Sequence, residues 1–178
     1  QALLLVDIQN DYFTGGAMPL VGMEAAAGKA SSLLQCFRDR SEPVVHVRHL
    51  SKRPGATFFI PDTPGAEIHP AVEPLAGEPV VTKVFPNSFR GTNLQDLLKK
   101  ADVGRLVICG AMSHMCIDAT ARAAFDLGFA CTVVEDACAT RNLAFKGETV
   151  PAWAVHGAFM AALQGIYAEV VSAGDLQI

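Results

Sequence analysis

The chain has 178 residues, of which 51% are hydrophobic and 18% charged, so it is expected to form one well-packed domain over residues 1–178 and not a disordered chain. Its formal net charge of −4 and its lack of any lysine- and arginine-rich block argue against nucleic acid or a membrane surface as partner, because both require a basic face. The mean hydropathy of +0.29 is high for a monomer and predicts a homo-oligomer, either a dimer or a tetramer.

The cysteine content predicts the compartment. Five cysteines are scattered along the chain with no Cys-x-x-Cys pair, at positions 36, 109, 116, 131 and 138. An odd, unpaired set excludes a zinc ribbon and argues against a disulfide framework, so a cytoplasmic location is expected. No apolar run approaches the roughly 18 residues that a membrane span needs, and the start of the chain lacks the basic flank and cleavage site of a signal peptide.

The predicted elements alternate between strands and helices. Six apolar runs rich in Val, Ile and Leu predict strands buried on both faces of a parallel sheet, at 2–8, 43–47, 79–84, 105–110, 130–137 and 168–173. Helical spacing predicts four helices, at 23–40, at 92–100 with Thr92 as cap, at 114–127, and at 149–164 with Pro151 near its first turn. This alternation predicts a three-layer α/β/α sandwich around a mostly parallel six-stranded sheet.

Three reactive side chains are predicted to meet at one edge of this sheet, because ligands of open α/β sheets bind at the carboxyl ends of the strands. Asp7 ends the first strand, Lys83 ends the third, and Cys116 follows the fourth in the first turn of the next helix. A base, a cation and a thiol are the minimum set for catalysis by a thiol nucleophile. The proline- and glycine-rich segment 49–78 is long for a plain connection and is expected to lie beside this site.

The sequence also predicts how the thiol becomes reactive. A free thiol with a pKa of about 8.5 is only a few per cent ionised at neutral pH. A neighbouring ammonium and a helix N-terminus both stabilise the thiolate, so Lys83 and the following helix are expected to lower the pKa of Cys116. The other four cysteines are expected to be core residues.

The motifs that carry these residues resemble, in order and over nearly the whole chain, the isochorismatase-like cysteine hydrolase superfamily. They read LLLVDIQNDYF, VVTKVFPNSFRGTNL, VICGAMSHMCIDATARAAFDLGF and VVEDACAT. Nicotinamidases and N-carbamoylsarcosine amidohydrolase are members of this superfamily. The resemblance implies a Rossmann-type strand order and a hydrolase that cleaves a small amide or carbamoyl C–N bond.

The resemblance also implies a role for each residue of the site. Asp7 would be the general base, Lys83 its electrostatic partner, and Cys116 the nucleophile that forms a thioester, which water then hydrolyses. A cis peptide bond would join Ala111 to Met112, and the backbone N–H groups of Met112 and Cys116 would form the oxyanion hole.

One motif departs from the family pattern. Nicotinamidases carry an Asp-x-His metal motif after the second strand, whereas this chain reads VVHVRHLSKRPG, with His46 and His49 but no aspartate. We therefore expect no metal and no cofactor, with both histidines structural or at the edge of the pocket. A metal-dependent amidase of the nicotinamidase type stays an alternative.

A small-molecule substrate is expected to contact side chains near the triad, namely Tyr12, Phe13, Phe85, Phe89 and His114. Core packing explains the tyrosine and the three phenylalanines almost as well, and for His114 the alternative is a local hydrogen bond. A catalytically silent binding or oligomeric protein of the same fold is a second alternative, which the intact set of Asp7, Lys83 and Cys116 disfavours. A nucleotide-binding domain is excluded, since no G-x-G-x-x-G or G-x-x-x-x-G-K motif follows a strand.

Overall fold

A six-stranded sheet forms the centre of the structure, a computed structural model that describes residues 1–177. The strands of residues 1–177, numbered in chain order, are β1 Ala2–Val6, β2 Val44–His49, β3 Val80–Lys83, β4 Arg105–Ala111, β5 Ala130–Ala139, β6 Leu143–Phe145, β7 Glu148–Val150 and β8 Glu169–Val171. All of them except β6 and β7 belong to the central sheet. The sheet order is β3-β2-β1-β4-β5-β8, and every neighbouring pair is parallel. This confirms the predicted fold class and strand order.

Four helices cover the two faces of the sheet, namely α1 Met23–Asp39, α2 Leu94–Lys100, α3 Asp118–Asp126 and α4 Ala152–Leu163. The chain moves from β1 to β2 in one direction along the sheet, and from β3 to β4, β4 to β5 and β5 to β8 in the other. Because such crossovers are right-handed, α1 lies on one face and the other three helices lie on the opposite face. Among residues 1–177, every helix is too short or too polar to cross a lipid bilayer.

Two predicted helix starts differ from the structure. Asn93, and not Thr92, occupies the cap position of α2, although the Thr92 hydroxyl accepts a hydrogen bond from the backbone N–H of Leu94 at 3.3 Å. Pro151 lies at the cap position directly before the first turn of α4, and the helix begins at Ala152 and not at 149. Both shifts are within the few residues by which helix ends commonly vary.

The sequence did not indicate the small hairpin formed by β6 and β7. Its turn residues Lys146 and Gly147 both have positive φ, 52° and 85°, as a two-residue hairpin turn requires. Each strand has only three residues and the hairpin is largely exposed, so it carries too little apolar pattern to be recognised.

Large apolar side chains remain on the surface of this part of the chain. Trp153 on α4 is 78% exposed, and Phe145 on the hairpin is 67% exposed. Exposed apolar surface is compatible with the expected contact between subunits, which stays a prediction.

Candidate active site

The candidate site lies where the strand order reverses, between β1 and β4. Asp7 follows β1 directly, and Cys116 follows β4 after a short turn. Lys83 ends β3, two strands away from β1, which is about 10 Å across the sheet. A long side chain is needed to cover that distance, and β2, with His49 paired in register with Lys83, lies between.

The ammonium group of Lys83 holds the site together. Its Nζ donates to Asp7 Oδ2 at 2.6 Å and to Cys116 Sγ at 3.2 Å, and it lies 3.1 Å from His49 Nδ1. A lysine ammonium has three N–H donors and no acceptor, so these three atoms account for all of its hydrogens. His49 Nδ1 is then an acceptor, which places the ring proton on Nε2.

The ionisation of these groups follows from their burial. Asp7, Lys83 and Cys116 are 0%, 1% and 4% exposed. Burial disfavours the charge of Lys83, but the Asp7 carboxylate and Cys116 outweigh it and hold the pKa of Lys83 above its ordinary value. Burial and the Lys83 ammonium lower the pKa of His49, so its ring is neutral at pH 7.

The thiol differs from the sequence prediction. Burial raises the pKa of Cys116, the Asp7 carboxylate raises it further, and Lys83 opposes both without overcoming them. The predicted lowering of the thiol pKa is therefore wrong for the resting site, where the proton stays on sulfur. The prediction weighed the cation and the helix but not the depth at which the sulfur is buried beside a carboxylate.

Backbone geometry fixes where Asp7 and Cys116 lie. Asp7 has a φ of +54°, a left-handed conformation that is uncommon outside glycine and is often found at functional sites. Gly110 has a φ of +125°, and a Cβ on it would lie 2.0 Å from the carbonyl oxygen of Val6. Only glycine therefore lets β4 approach the end of β1 closely enough to bring the two side chains together.

The nucleophile candidate lies in a wider turn than predicted. Residues Ser113–Ile117 form a π-helical turn that leads into α3, so Cys116 precedes the first residue of that α-helix. Single π-helical turns are frequent at functional sites. The peptide bond between Ala111 and Met112, at the entrance to this turn, is cis.

Gln9 and Asp11, which the sequence reasoning missed, position the loop that borders the site. The buried Gln9 side chain donates to the carbonyl oxygens of His49 and Ala66, at 2.9 and 2.7 Å, and accepts from the N–H of His49 at 2.7 Å. Asp11 accepts from the N–H of Phe59 at 2.6 Å. Both lie in the motif DIQNDYF, where the further polar residues after Asp7 were the available signal.

A cavity of about 310 Å³ opens onto the sulfur of Cys116, with a volume of roughly ten liquid water molecules. Its walls are mostly apolar and consist of Tyr12, Phe58, Val84, Phe85, Pro86 and Met115. Polar side chains are contributed by His49, Ser51, Lys52 and Arg53. The structure thus places the predicted residues Tyr12 and Phe85, and the predicted loop, at the cavity.

The other three predicted substrate contacts lie elsewhere, since Phe13, Phe89 and His114 are not among the residues that line this cavity. Phe13 stacks on His69 with ring centroids 3.6 Å apart, and Phe89 stacks on Phe129 at 5.9 Å. His114 Nδ1 hydrogen-bonds the hydroxyl of Thr140 at 2.6 Å. In the structure both phenylalanines thus pack against other rings, and His114 bonds to a neighbouring hydroxyl.

Comparison of the sequence with known protein families identifies the family of this chain. The family model of the isochorismatase domain matches residues 1–172. The chain belongs to the isochorismatase family. This confirms the resemblance on which the site residues were proposed.

Several relatives of this family member are known. The isochorismatase family protein YddQ of Bacillus subtilis is 53% identical, with 95% of this chain and 94% of that protein covered. Streptothricin hydrolase of Streptomyces noursei is 39% identical over 85% of this chain but 55% of that protein. Maleamate amidohydrolase of Pseudomonas putida is 33% identical over 79% of this chain and 73% of that protein. A crystal structure of a candidate isochorismatase hydrolase from Oleispira antarctica is 55% identical, with a TM-score of 0.94 over 98% of this chain and 94% of that one.

The cluster of possible metal ligands at the site of this isochorismatase family member does not suit a metal ion. Ligand atoms of Asp7, His49 and Cys116 lie within 4.8 Å of one another, a spacing that could hold a metal ion. However, the Lys83 ammonium already contacts all three residues, and a second cation there would meet strong repulsion. His46 is engaged elsewhere, with its Nε2 at 2.9 Å from Glu78.

Proposed function

We propose that the protein is a cysteine hydrolase that cleaves the C–N bond of a small amide or carbamoyl compound through a thioester on Cys116. The observation that carries this function is the Lys83 ammonium, which donates both to Asp7 and to Cys116, the residue of the three that lines a small cavity. The names of the relatives support it, since maleamate amidohydrolase and streptothricin hydrolase are hydrolases. The assignment of roles to Asp7, Lys83 and Cys116 is part of this proposal.

Proton transfer from sulfur to Asp7 starts the reaction. Asp7 Oδ2 accepts from Lys83, whereas Oδ1 is buried and has no hydrogen-bond partner among residues 1–177. Oδ1 is therefore the oxygen of Asp7 that is available to accept the Cys116 proton. As the Cys116 proton passes to Asp7, the sulfur attacks the carbonyl carbon and a C–S bond forms.

The remaining steps use the same groups. In the tetrahedral intermediate the negative charge lies on the former carbonyl oxygen, which the backbone N–H groups of Met112 and Cys116 would stabilise. When the C–N bond breaks, Asp7 returns its proton to the leaving nitrogen, and a thioester remains on Cys116. Water then attacks the thioester carbon while Asp7 takes a proton from it, the C–S bond breaks, and Asp7 reprotonates the sulfur as the carboxylic acid leaves.

Turnover and trapping of the thioester test this function together. Ammonia or amine release is measured for the native protein and for C116A on a panel of small amides, with C36A as the matched control because Cys36 lies on α1, outside the site. The native protein and C36A should turn over the same amides and carry an acyl mass on the peptide that contains Cys116. Turnover that persists in C116A would exclude the thioester mechanism.

A further inference from the structure

Two cations lie at the rim of the cavity without an ionic partner. Lys52 and Arg53 both line the cavity, and both side chains are exposed. No aspartate or glutamate among residues 1–177 forms a salt bridge with either of them. We call these two residues the cationic rim.

The charge around the cavity is strongly one-sided. No acidic side chain lines it among the described residues, while the chain as a whole has a formal net charge of −4. The charges of the buried Asp7 and Lys83 nearly cancel each other, and Cys116, which lines the cavity, is uncharged at rest. An entering molecule therefore meets apolar walls and an uncompensated positive potential at the rim.

We propose that the cationic rim binds a carboxylate of the substrate, so that the substrate is a short amide acid whose amide reaches Cys116 while its carboxylate lies against Lys52 and Arg53. This assignment depends on the proposed function, because the amide end is placed by the nucleophile. An arginine guanidinium recognises a carboxylate through two parallel hydrogen bonds, and a lysine adds a point charge. The cavity of about 310 Å³ limits the substrate to a small molecule.

Two alkylating reagents of nearly equal shape test the rim without knowledge of the substrate. Iodoacetate carries a carboxylate where iodoacetamide carries a neutral amide, and both alkylate sulfur at the same carbon. The ratio of their rates at Cys116, read by peptide mass spectrometry, is divided by the ratio for N-acetylcysteine amide, a neutral free thiol. At about 10 mM salt, where charges act over about 30 Å, we expect a normalised ratio of about ten that falls towards one at 1 M salt.

Two double variants with equal changes in net charge identify the source of the effect. K52Q/R53Q should lose most of the preference for iodoacetate, whereas K99Q/K100Q, which removes two exposed lysines at the end of α2, should keep it. A normalised ratio near one in the native protein, or a ratio that K52Q/R53Q leaves unchanged, would overturn the role of the rim.

Ligand binding separates failure of the rim from failure of the proposed function. Calorimetry on C116A compares amide acids of three to six carbons with the corresponding diamides, so no turnover is needed. The amide acid of best-fitting length should bind at least tenfold more tightly than its diamide, and K52Q/R53Q/C116A should lose that difference. Equal binding of acids and diamides at every length would overturn the proposal that the cationic rim binds a carboxylate. If C116A retains turnover but the acids still bind more tightly than the diamides, the nucleophile assignment fails and the carboxylate-binding role of the rim stands.

Discussion

Replacing Lys83 with methionine tests whether the buried ion pair organises the site. Methionine retains much of the apolar stem but removes the ammonium, which leaves the Asp7 carboxylate, 0% exposed, without its donor at 2.6 Å. Breaking a buried pair on one side costs about 3–5 kcal/mol, because an uncompensated charge stays in the interior. At roughly 2–4 °C per kcal/mol for a chain of this size, K83M should melt roughly 6–20 °C below the native protein at pH 7.

Urea denaturation and calorimetry of three variants measure this effect. D7N/K83M carries no buried charge at the pair and should recover at least half of the stability lost in K83M. K99M removes a lysine that is exposed on α2 and should change the free energy of unfolding by no more than about 0.5 kcal/mol. A K83M protein within about 1 kcal/mol of the native one, or a double variant that loses the sum of the two single losses, would refute the reasoning.

Four further variants test features of the fold. G110A should prevent folding or cost more than about 3 kcal/mol, since its Cβ would lie 2.0 Å from the oxygen of Val6. G28A, at an exposed position of α1 with open space around its Cβ, should stabilise by about 0.5–1 kcal/mol in the same urea titration. Q9A leaves a buried N–H and two carbonyl groups unpaired and should cost about 1–3 kcal/mol, with no loss in urea titrations counting against its anchoring role. The Arg38 guanidinium holds the pKa of Glu78 down to about 2, so the native protein should lose stability as the pH falls from about 5 to 2, and E78Q should show a flatter profile of melting temperature over that window.

The sequence predicted the fold and the meeting of three side chains for one physical reason. Buried parallel strands are continuous apolar runs, and the polar residues that end them must share one edge of the sheet. The topology therefore brings Asp7, Lys83 and Cys116 to the same edge of the sheet. In the structure, the Lys83 ammonium donates a hydrogen bond to each of the other two side chains.

The features that depend on side-chain orientation could not be predicted in this way. Phe13 and Phe89 are close to the site in sequence, but their rings turn to His69 and Phe129, and no periodic pattern fixes the direction of a loop aromatic. The contact of His49 with Lys83 depends on the register between β2 and β3, which the sequence does not specify. The raised pKa of Cys116 depends on how completely the fold excludes water from the sulfur.

A resting thiol with a raised pKa is compatible with catalysis because the three buried groups share one mobile proton. With that proton on Cys116, Asp7 is negative and Lys83 positive; with it on Asp7, the sulfur is negative and Lys83 still positive. The net charge of the set is zero in both states, so attack creates no uncompensated charge in the interior. Loss of the proton to solvent would instead leave two negative groups on one ammonium, which burial opposes. The proton thus leaves sulfur most easily when Asp7 receives it and a carbonyl carbon is there to take up the sulfur's electron pair, which confines the reactive thiolate to the substrate complex.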